Sequence, residues 1–298
     1  MPRINKAIEL LAQGQPVYYR RVADPTEQCY DGGIKLAHTW ADYIDYNMEL
    51  TTFDLPRLRQ FMRGLVAGGP TRSGHRTPAV IVTMPIDGRD AQTVRANAWV
   101  IRQLLNTGVH GLHLCLAETP EAVQAFVETC RFAFHGQGVG ARLGKGRRGH
   151  SDEESPAFVW GVSVAEYKQR ADVWPLNPEG ELMLGVKIET TWCVERCEET
   201  VSVPGLCFGE WGVNDMSLSM GYRSTPPKPY PADVSAVRSR IVGACRAAGL
   251  FFQEEATPAD IRQQLEDGVR IFATAGGSDA GAVTAEIGRK HTHRSMAW

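Results

Sequence analysis

Eight strand candidates recur along the chain, at 17–22, 42–46, 79–84, 111–117, 182–189, 205–211, 250–253 and 270–274, and two of them, 182–189 and 205–211, are almost continuously apolar. Runs that are apolar throughout, rather than alternating, suit parallel strands buried on both faces. Between them the period changes to that of a helix. The stretch 54–65 carries Leu55, Leu58, Phe61, Met62 and Leu65 on one face, and 5–13, 33–40, 89–106, 193–200, 232–248 and 258–267 read as helices too, with a last one from near Asp279. Thr119 followed by Pro120 gives an N-cap and first helical position for a helix running to Phe132. Eight strands with helices between them predict an α/β fold, a (β/α)8 TIM barrel, as one domain over 1–298. The rhythm breaks once, at 136–181. There 136–150 reads GQGVGARLGKGRRGH and a rigid Trp174-Pro175-Leu176-Asn177-Pro178 follows. This is read as a long loop inserted after the fourth βα unit, a lid or an oligomer contact. Its glycines do not follow a strand and open a helix, so they do not form a phosphate-binding fingerprint.

Composition narrows the function. With 298 residues, 43% of them hydrophobic, and a net charge of −2, the chain can bury one large core and has no electrostatic footprint for nucleic acid. No apolar run reaches the roughly 18 residues that a membrane span needs, and the start MPRINKAIELL is an amphipathic pattern rather than a signal peptide. A cytoplasmic protein without membrane or nucleic-acid partners is expected. Seven scattered cysteines imply reduced thiols, mostly buried. Cys193 and Cys197 have helical spacing and no second pair nearby, so they are poor zinc ligands. Cys115 and Cys207 lie inside strand candidates and read as core.

Two acids stand out because each comes just past an apolar strand. Glu189 ends Lys187-Ile188-Glu189-Thr190, and Asp215 lies in Gly212-Val213-Asn214-Asp215-Met216-Ser217. A strand, helix, strand unit of this length is a right-handed crossover, which brings both acids to one edge of the sheet. Converging carboxylates suit a hard octahedral cation. The plainer alternative is that Asp215 caps the next helix while Glu189 pairs with a surface cation.

The segments KIET and GVNDMSLSMGY resemble the paired metal-ligand motifs of the HpcH/HpaI 2-oxo-acid aldolase and citrate lyase family, the class II pyruvate aldolases. The resemblance implies a (β/α)8 barrel in which Glu189 and Asp215 hold a divalent metal, Mg²⁺ or Mn²⁺ first and Co²⁺ as a further candidate. Gly212, Val213 and Asn214 then form the loop facing the substrate carboxylate. It also implies a homo-oligomer, trimer or hexamer, with the last helix and tail, 279–298, exchanged between subunits. Two positions depart from the family. Within Tyr46-Asn47-Met48-Glu49-Leu50 the family's catalytic His is replaced by Leu50 while Glu49 is kept, and the family's substrate-binding Arg is replaced by Met84. Lys187 lies on the same strand face as Glu189, where relatives often have Gln. It can supply the missing charge, or form a structural ion pair with Glu189 or Glu210. Lys187 and Glu49 are therefore the candidate catalytic pair for adjusting charge and moving the proton, with Glu210 as a third carboxylate if it points inward.

His75 and Arg76 fall at the wrong end of a strand, and His113 reads as a satisfied interior group. Arg147 and His150 are candidates to close over the site. The expected activity is metal-dependent carbon–carbon lysis, the retro-aldol cleavage of a small-molecule 4-hydroxy-2-oxo acid to pyruvate or a related 2-oxo acid plus an aldehyde. The alternatives are an oxaloacetate-type decarboxylase, an acyl-CoA lyase, or an impaired barrel serving binding or assembly.

Overall fold

The strand candidates become the staves of a closed ring in the computed structural model, which describes residues 3–274 and 277–298, without the side chains of 277–279. The strands are β1 (Val17–Val22), β2 (Tyr43–Asn47), β3 (Ala79–Asp87), β4 (Gly111–Cys115), β5 (Val173–Trp174), β6 (Leu182–Ile188), β7 (Phe208–Trp211), β8 (Phe251–Ala256) and β9 (Ile271–Thr274). All their pairings are parallel. The ring runs β1, β2, β3, β4, β6, β7, β8, β9 and closes where β9 returns to β1, while the two-residue β5 lies along the start of β6. This is the (β/α)8 barrel, and its chemistry is to be sought where the strands end.

Successive side chains on a strand point to opposite faces, so each strand feeds alternate residues inward. Toward the N-terminal mouth this filling is apolar and aromatic: Tyr19, Tyr43, Ile81, Phe208 and Ile271 form one buried cluster with Ala7, Ile8, Leu10 and Leu11 of the helix Lys6–Ala12. That helix closes the mouth, and the Asn5 side chain caps it by accepting from the amides of Ala7 and Ile8. The Phe208 ring occupies the inward side of Gly185 so closely that a Cβ on Gly185 would lie 2.1 Å from it, which is why the middle of β6 carries no side chain there. One layer higher the filling turns polar. Arg21 donates to Asp45 (2.8 Å), Thr83 donates to Asp45 (2.7 Å), and Gln253 links Tyr19, Tyr43 and Glu210.

Several expected elements differ. The helix expected over 193–200 is two pieces, Thr191–Glu195 and Cys197–Val201, and that over 33–40 lies at Tyr30–Leu36. The single helix over 89–106 is two, Ala91–Ala96 and Ala98–Leu105, because the Asn97 amide turns back to the Thr93 carbonyl (2.9 Å) and its backbone leaves the helical region. The stretch 136–181, read as a loop, contains helices Glu154–Trp160 and Val164–Arg170 as well as β5. They are held on the barrel's N-terminal side. Trp160 Nε1 donates to the Gly108 carbonyl (2.9 Å), the Trp160 ring stacks on His110, and Arg131 makes a fully buried pair with Asp172 (2.6 Å). Arg147 and His150 pair with Glu128 and Glu153. The last helix, Gly277–His291, lies across β1 and β9, and Arg289 and Arg294 reach the buried Asp42. All seven thiols are free. Among the described residues no helix is long and apolar enough to cross a membrane.

Candidate active site at the C-terminal rim

A cavity of about 440 Å³ opens at the strand ends, walled by Tyr19, Arg21, Glu49, Lys187, Glu210 and the turn 212–215. Another, of about 460 Å³, opens at the opposite end between His75, Arg76, His110 and Trp160. Barrel chemistry belongs to the first of these ends. At the second, His75 serves the fold by joining Ser73 to Glu9 on the first helix, at 3.0 Å each.

Lys187 is the centre of the rim site. It is next to last in β6, and its ammonium donates to both Glu49 oxygens (2.9 and 2.8 Å) and lies 2.9 Å from Glu189 Oε2. The side chain is 8% exposed. Burial alone would push its pKa down; Cys115, Glu210, Glu189 and Glu49 outweigh that and hold it well above the ordinary lysine value. Glu189 is fully buried. Its Oε1 accepts from the Leu116 amide (2.8 Å), and Oε2 faces the Lys187 ammonium at 2.9 Å as an ion pair outside hydrogen-bond geometry. Burial raises the Glu189 carboxyl, against the opposing pull of Lys187 and the Leu116 amide. Leu116 donates from a left-handed backbone, φ 49°, a conformation that leucine rarely adopts. Local strain is thus kept where the amide meets the carboxylate.

Glu49, Cys115 and Glu189 bring one candidate ligand atom each to within 4.8 Å of one another. The sequence reading had treated Cys115 as plain core. It is buried at the end of β4, and burial holds its thiol well above the usual range. Asp215, expected to join Glu189, is not in this group: it lines the cavity with Glu49 from the exposed first turn of the helix Val213–Ser219. Gly212 opens that helix and lies against Glu189: a Cβ there would be 2.3 Å from Oε2. The first intrahelical bond is donated by Met216 to the Gly212 carbonyl, so the amides of Val213, Asn214 and Asp215 have no partner within the helix.

The remaining polar groups sort themselves by direction. Glu210 points inward, in register with Lys187 on one side and Gln253 on the other. Gln253 donates to its Oε2 (2.7 Å), and burial pushes the carboxyl up to about 7 against Lys187 and Arg21. His113 is buried beside it, 3.6 Å from the same oxygen, but its Nε2 has no hydrogen-bond partner, so the satisfied interior histidine of the sequence reading is only half satisfied. Leu50 lines the cavity, 69% exposed, while Met84 is fully buried. Arg21 was missed by sequence reasoning. It sits one position before the end of β1, and its inward alternation with Tyr19 was the available signal.

Comparison with known proteins bears on the family and the fold. The HpcH/HpaI aldolase/citrate lyase profile matches residues 88–284. A hydroxypyruvate/pyruvate aldolase of Cupriavidus necator is 27% identical over 177 residues, 59% of this chain and 58% of that protein. The chain thus spans less than two thirds of that relative's length. Among solved structures, an HpcH/HpaI aldolase/citrate lyase family protein from Burkholderia cenocepacia superposes with a TM-score of 0.67 at 21% identity, covering 94% of this chain and 95% of that one. A citrate lyase beta subunit from M. tuberculosis, complexed with oxaloacetate and magnesium, gives 0.55 at 14%, covering 93% and 98%. With the profile matched over more than half its length, this chain belongs to the HpcH/HpaI aldolase/citrate lyase family.

Proposed function

We propose that this protein is a divalent-metal-dependent carbon–carbon lyase that cleaves a 4-hydroxy-2-oxo acid into pyruvate or a related 2-oxo acid and an aldehyde. The observation that carries the reading is the convergence at Glu189: its buried Oε2 is held by an ion pair with the Lys187 ammonium at 2.9 Å, it lies within 4.8 Å of a Glu49 oxygen, and a Cβ on Gly212 would lie 2.3 Å from it. A buried carboxylate oxygen held by one cation and no hydrogen bond is open to a second cation that completes its shell. Two of the three clustered donors suit a hard cation, since Glu49 and Glu189 offer oxygens within 4.8 Å of each other beside the Cys115 sulfur, and Asp215, outside that cluster, lines the cavity with Glu49. In this reading Glu189 and Asp215 hold the ion, Mg²⁺ or Mn²⁺, and Lys187 is a resident charge that limits how tightly it binds. The ion supplies positive charge for the 2-oxo acid as electrons move onto its 2-oxo oxygen.

The chain's own residues do the rest. The partnerless amides of Val213 and Asn214, behind Gly212, face the carboxylate of the substrate. Lys187 and Glu49 set the charge of the site and hold Glu189 in place. The name of the Cupriavidus necator relative and the ligands of the M. tuberculosis structure support the substrate class and the ion. The test is to measure pyruvate release from 4-hydroxy-2-oxo acids after EDTA treatment, then after adding Mg²⁺ or Mn²⁺. Activity should vanish and return, and Glu189→Gln should abolish metal binding by calorimetry. Full activity in a metal-free sample would refute the reading.

A further inference from the structure

Retro-aldol cleavage moves one proton from the 4-hydroxyl to carbon 3, so the cavity needs a group that can accept a proton and return it. Most of its ionisable groups are committed elsewhere. Glu49 is bound to Lys187 through both oxygens, Glu254 is paired with Arg238, and Arg21 is a permanent cation on Asp45. Asp215 and Glu255 are exposed to water. Glu210 differs. Its side chain lines the cavity yet is only 15% exposed, and among the described residues it has no lysine or arginine within ion-pair distance.

Resting on the lyase reading above, we propose that Glu210 is the proton carrier of the reaction. Its orientation is fixed by a relay: Tyr43 OH donates to Gln253 Oε1 (2.9 Å), and Gln253 Nε2 therefore donates to Glu210 Oε2 (2.7 Å) and toward Tyr19 OH (3.3 Å). With Oε2 held as an acceptor, the travelling proton belongs on Oε1. In the cleavage direction the Glu210 carboxylate takes the proton of the 4-hydroxyl. The C4–O bond becomes a carbonyl, the C3–C4 bond breaks, and its electron pair forms the C2–C3 double bond with charge on the 2-oxo oxygen. After the aldehyde leaves, Glu210 returns the proton to carbon 3. No other reactant is consumed.

The groups that set its charge face it from every side. They are Lys187 on β6, Arg21 and Tyr19 on β1, Asp45 and Tyr43 on β2, His113 on β4, Gln253 on β8, and Glu189 just past β6. Burial leads this balance and brings the carboxyl to about 7, so both protonation states are present at neutral pH.

The experiment follows two reactions in the metal-loaded protein: exchange of pyruvate methyl protons in D₂O by NMR, and cleavage of 4-hydroxy-2-oxopentanoate. For wild type, kcat/KM should show an acid limb near pH 7. Glu210→Gln should lower kcat in both reactions by about 10²-fold or more, lose the acid limb, and keep KM and the calorimetric affinity for Mn²⁺. Glu210→Asp, which keeps a carboxylate, should recover part of kcat and retain a displaced acid limb; it carries the test should the glutamine variant not fold. A glutamine variant within about threefold of wild type, or one that keeps the same limb, overturns the role of Glu210 alone. A wild-type protein inert in both reactions overturns the lyase reading and this role with it.

Discussion

Lys187→Gln isolates the competition at the heart of the site, because glutamine keeps much of the side chain's reach and removes only its charge. The ammonium lies 2.8 Å from Glu49 and 2.9 Å from Glu189. At an effective dielectric of about 20, each such contact is worth roughly 5 kcal/mol before desolvation is subtracted. Removing one partner of a buried pair costs about 3–5 kcal/mol, since the carboxylates are left facing one another. Glu49 is 23% exposed, so water relieves part of the repulsion and the lower figure applies. For 298 residues, the unfolding entropy of about 2.1 cal/mol/K per residue converts 3 kcal/mol into a Tm loss of roughly 5 °C.

A divalent ion reverses the sign. With the ammonium gone, Glu189 Oε2 and both oxygens of Glu49 are available, and an ion at 100 times its Kd returns about 2.7 kcal/mol. Scanning calorimetry in EDTA and then in a Mn²⁺ series reads both effects. The variant should melt lower than wild type in EDTA and gain more from the ion. A variant that melts with wild type in EDTA, or gains no more than wild type from Mn²⁺, refutes the picture of an ammonium standing in a cation's place.

Three further outcomes follow from single contacts. Gly212→Ala meets no backbone obstacle, at φ −81°, but its Cβ would sit 2.3 Å from Glu189 Oε2 and 2.6 Å from Glu189 Cβ; calorimetry should find Mn²⁺ affinity lowered by about tenfold or more and the fold destabilised by about 1–3 kcal/mol, and wild-type affinity would refute the steric argument. Glu210→Gln should stabilise the protein as pH rises: the folded carboxyl sits near 7 against an ordinary 4.5, so its stability contribution is whole below 4.5 and is lost on passing 7, an upper bound of about 3 kcal/mol. A Tm difference that stays flat from pH 5 to 8 would contradict it. Asp42→Asn strands the buried cations Lys6, Arg289 and Arg294 and should cost about 3–5 kcal/mol at pH 7. Burial alone would raise the Asp42 carboxyl, but the three cations hold it well below the ordinary range. The wild-type advantage is therefore present above about pH 4 and should shrink as pH falls through it.

What could be read in the sequence was what local physics dictates. Both-face burial makes a strand apolar throughout, so 182–189 and 205–211 were visible as strands, and 17–22 coincides with β1 although it carries Arg20 and Arg21. Thr119 could be placed at a helix start because capping is a contact between near neighbours. The helices inside 136–181 escaped because each has only seven residues, too few to establish a period, and each is fixed by distant contacts such as Trp160 to Gly108. At the site, alternation put Lys187 and Glu189 on one face of β6. It could not show that Glu49, 138 positions away, takes both of the ammonium's hydrogen bonds. Nothing in the sequence marks Leu116, since its contribution is a backbone amide in a conformation its own side chain disfavours.

That division also explains why stability and chemistry can be changed separately in this barrel. Toward the N-terminal mouth the interior is closed by aromatic and aliphatic contacts and by the first helix, with the buried Asp42 cluster fastening the last one. Toward the other rim the same strands carry a buried carboxylate oxygen held by an ion pair and no hydrogen bond, a left-handed leucine, a histidine with an unpaired nitrogen and an acid held near neutrality. Each of these is a cost that the folded state retains without return from packing. They gather at one rim within two residues of the strand ends, on β4, β6 and β7. Errors of folding would scatter such costs, whereas a site that must bind a charged substrate and pass a proton collects them. Relieving the leucine's backbone strain, the histidine's unpaired nitrogen or the charge of Glu210 should therefore leave the fold as stable or more so, whereas Lys187 and Glu189 hold each other and neither is removed without cost.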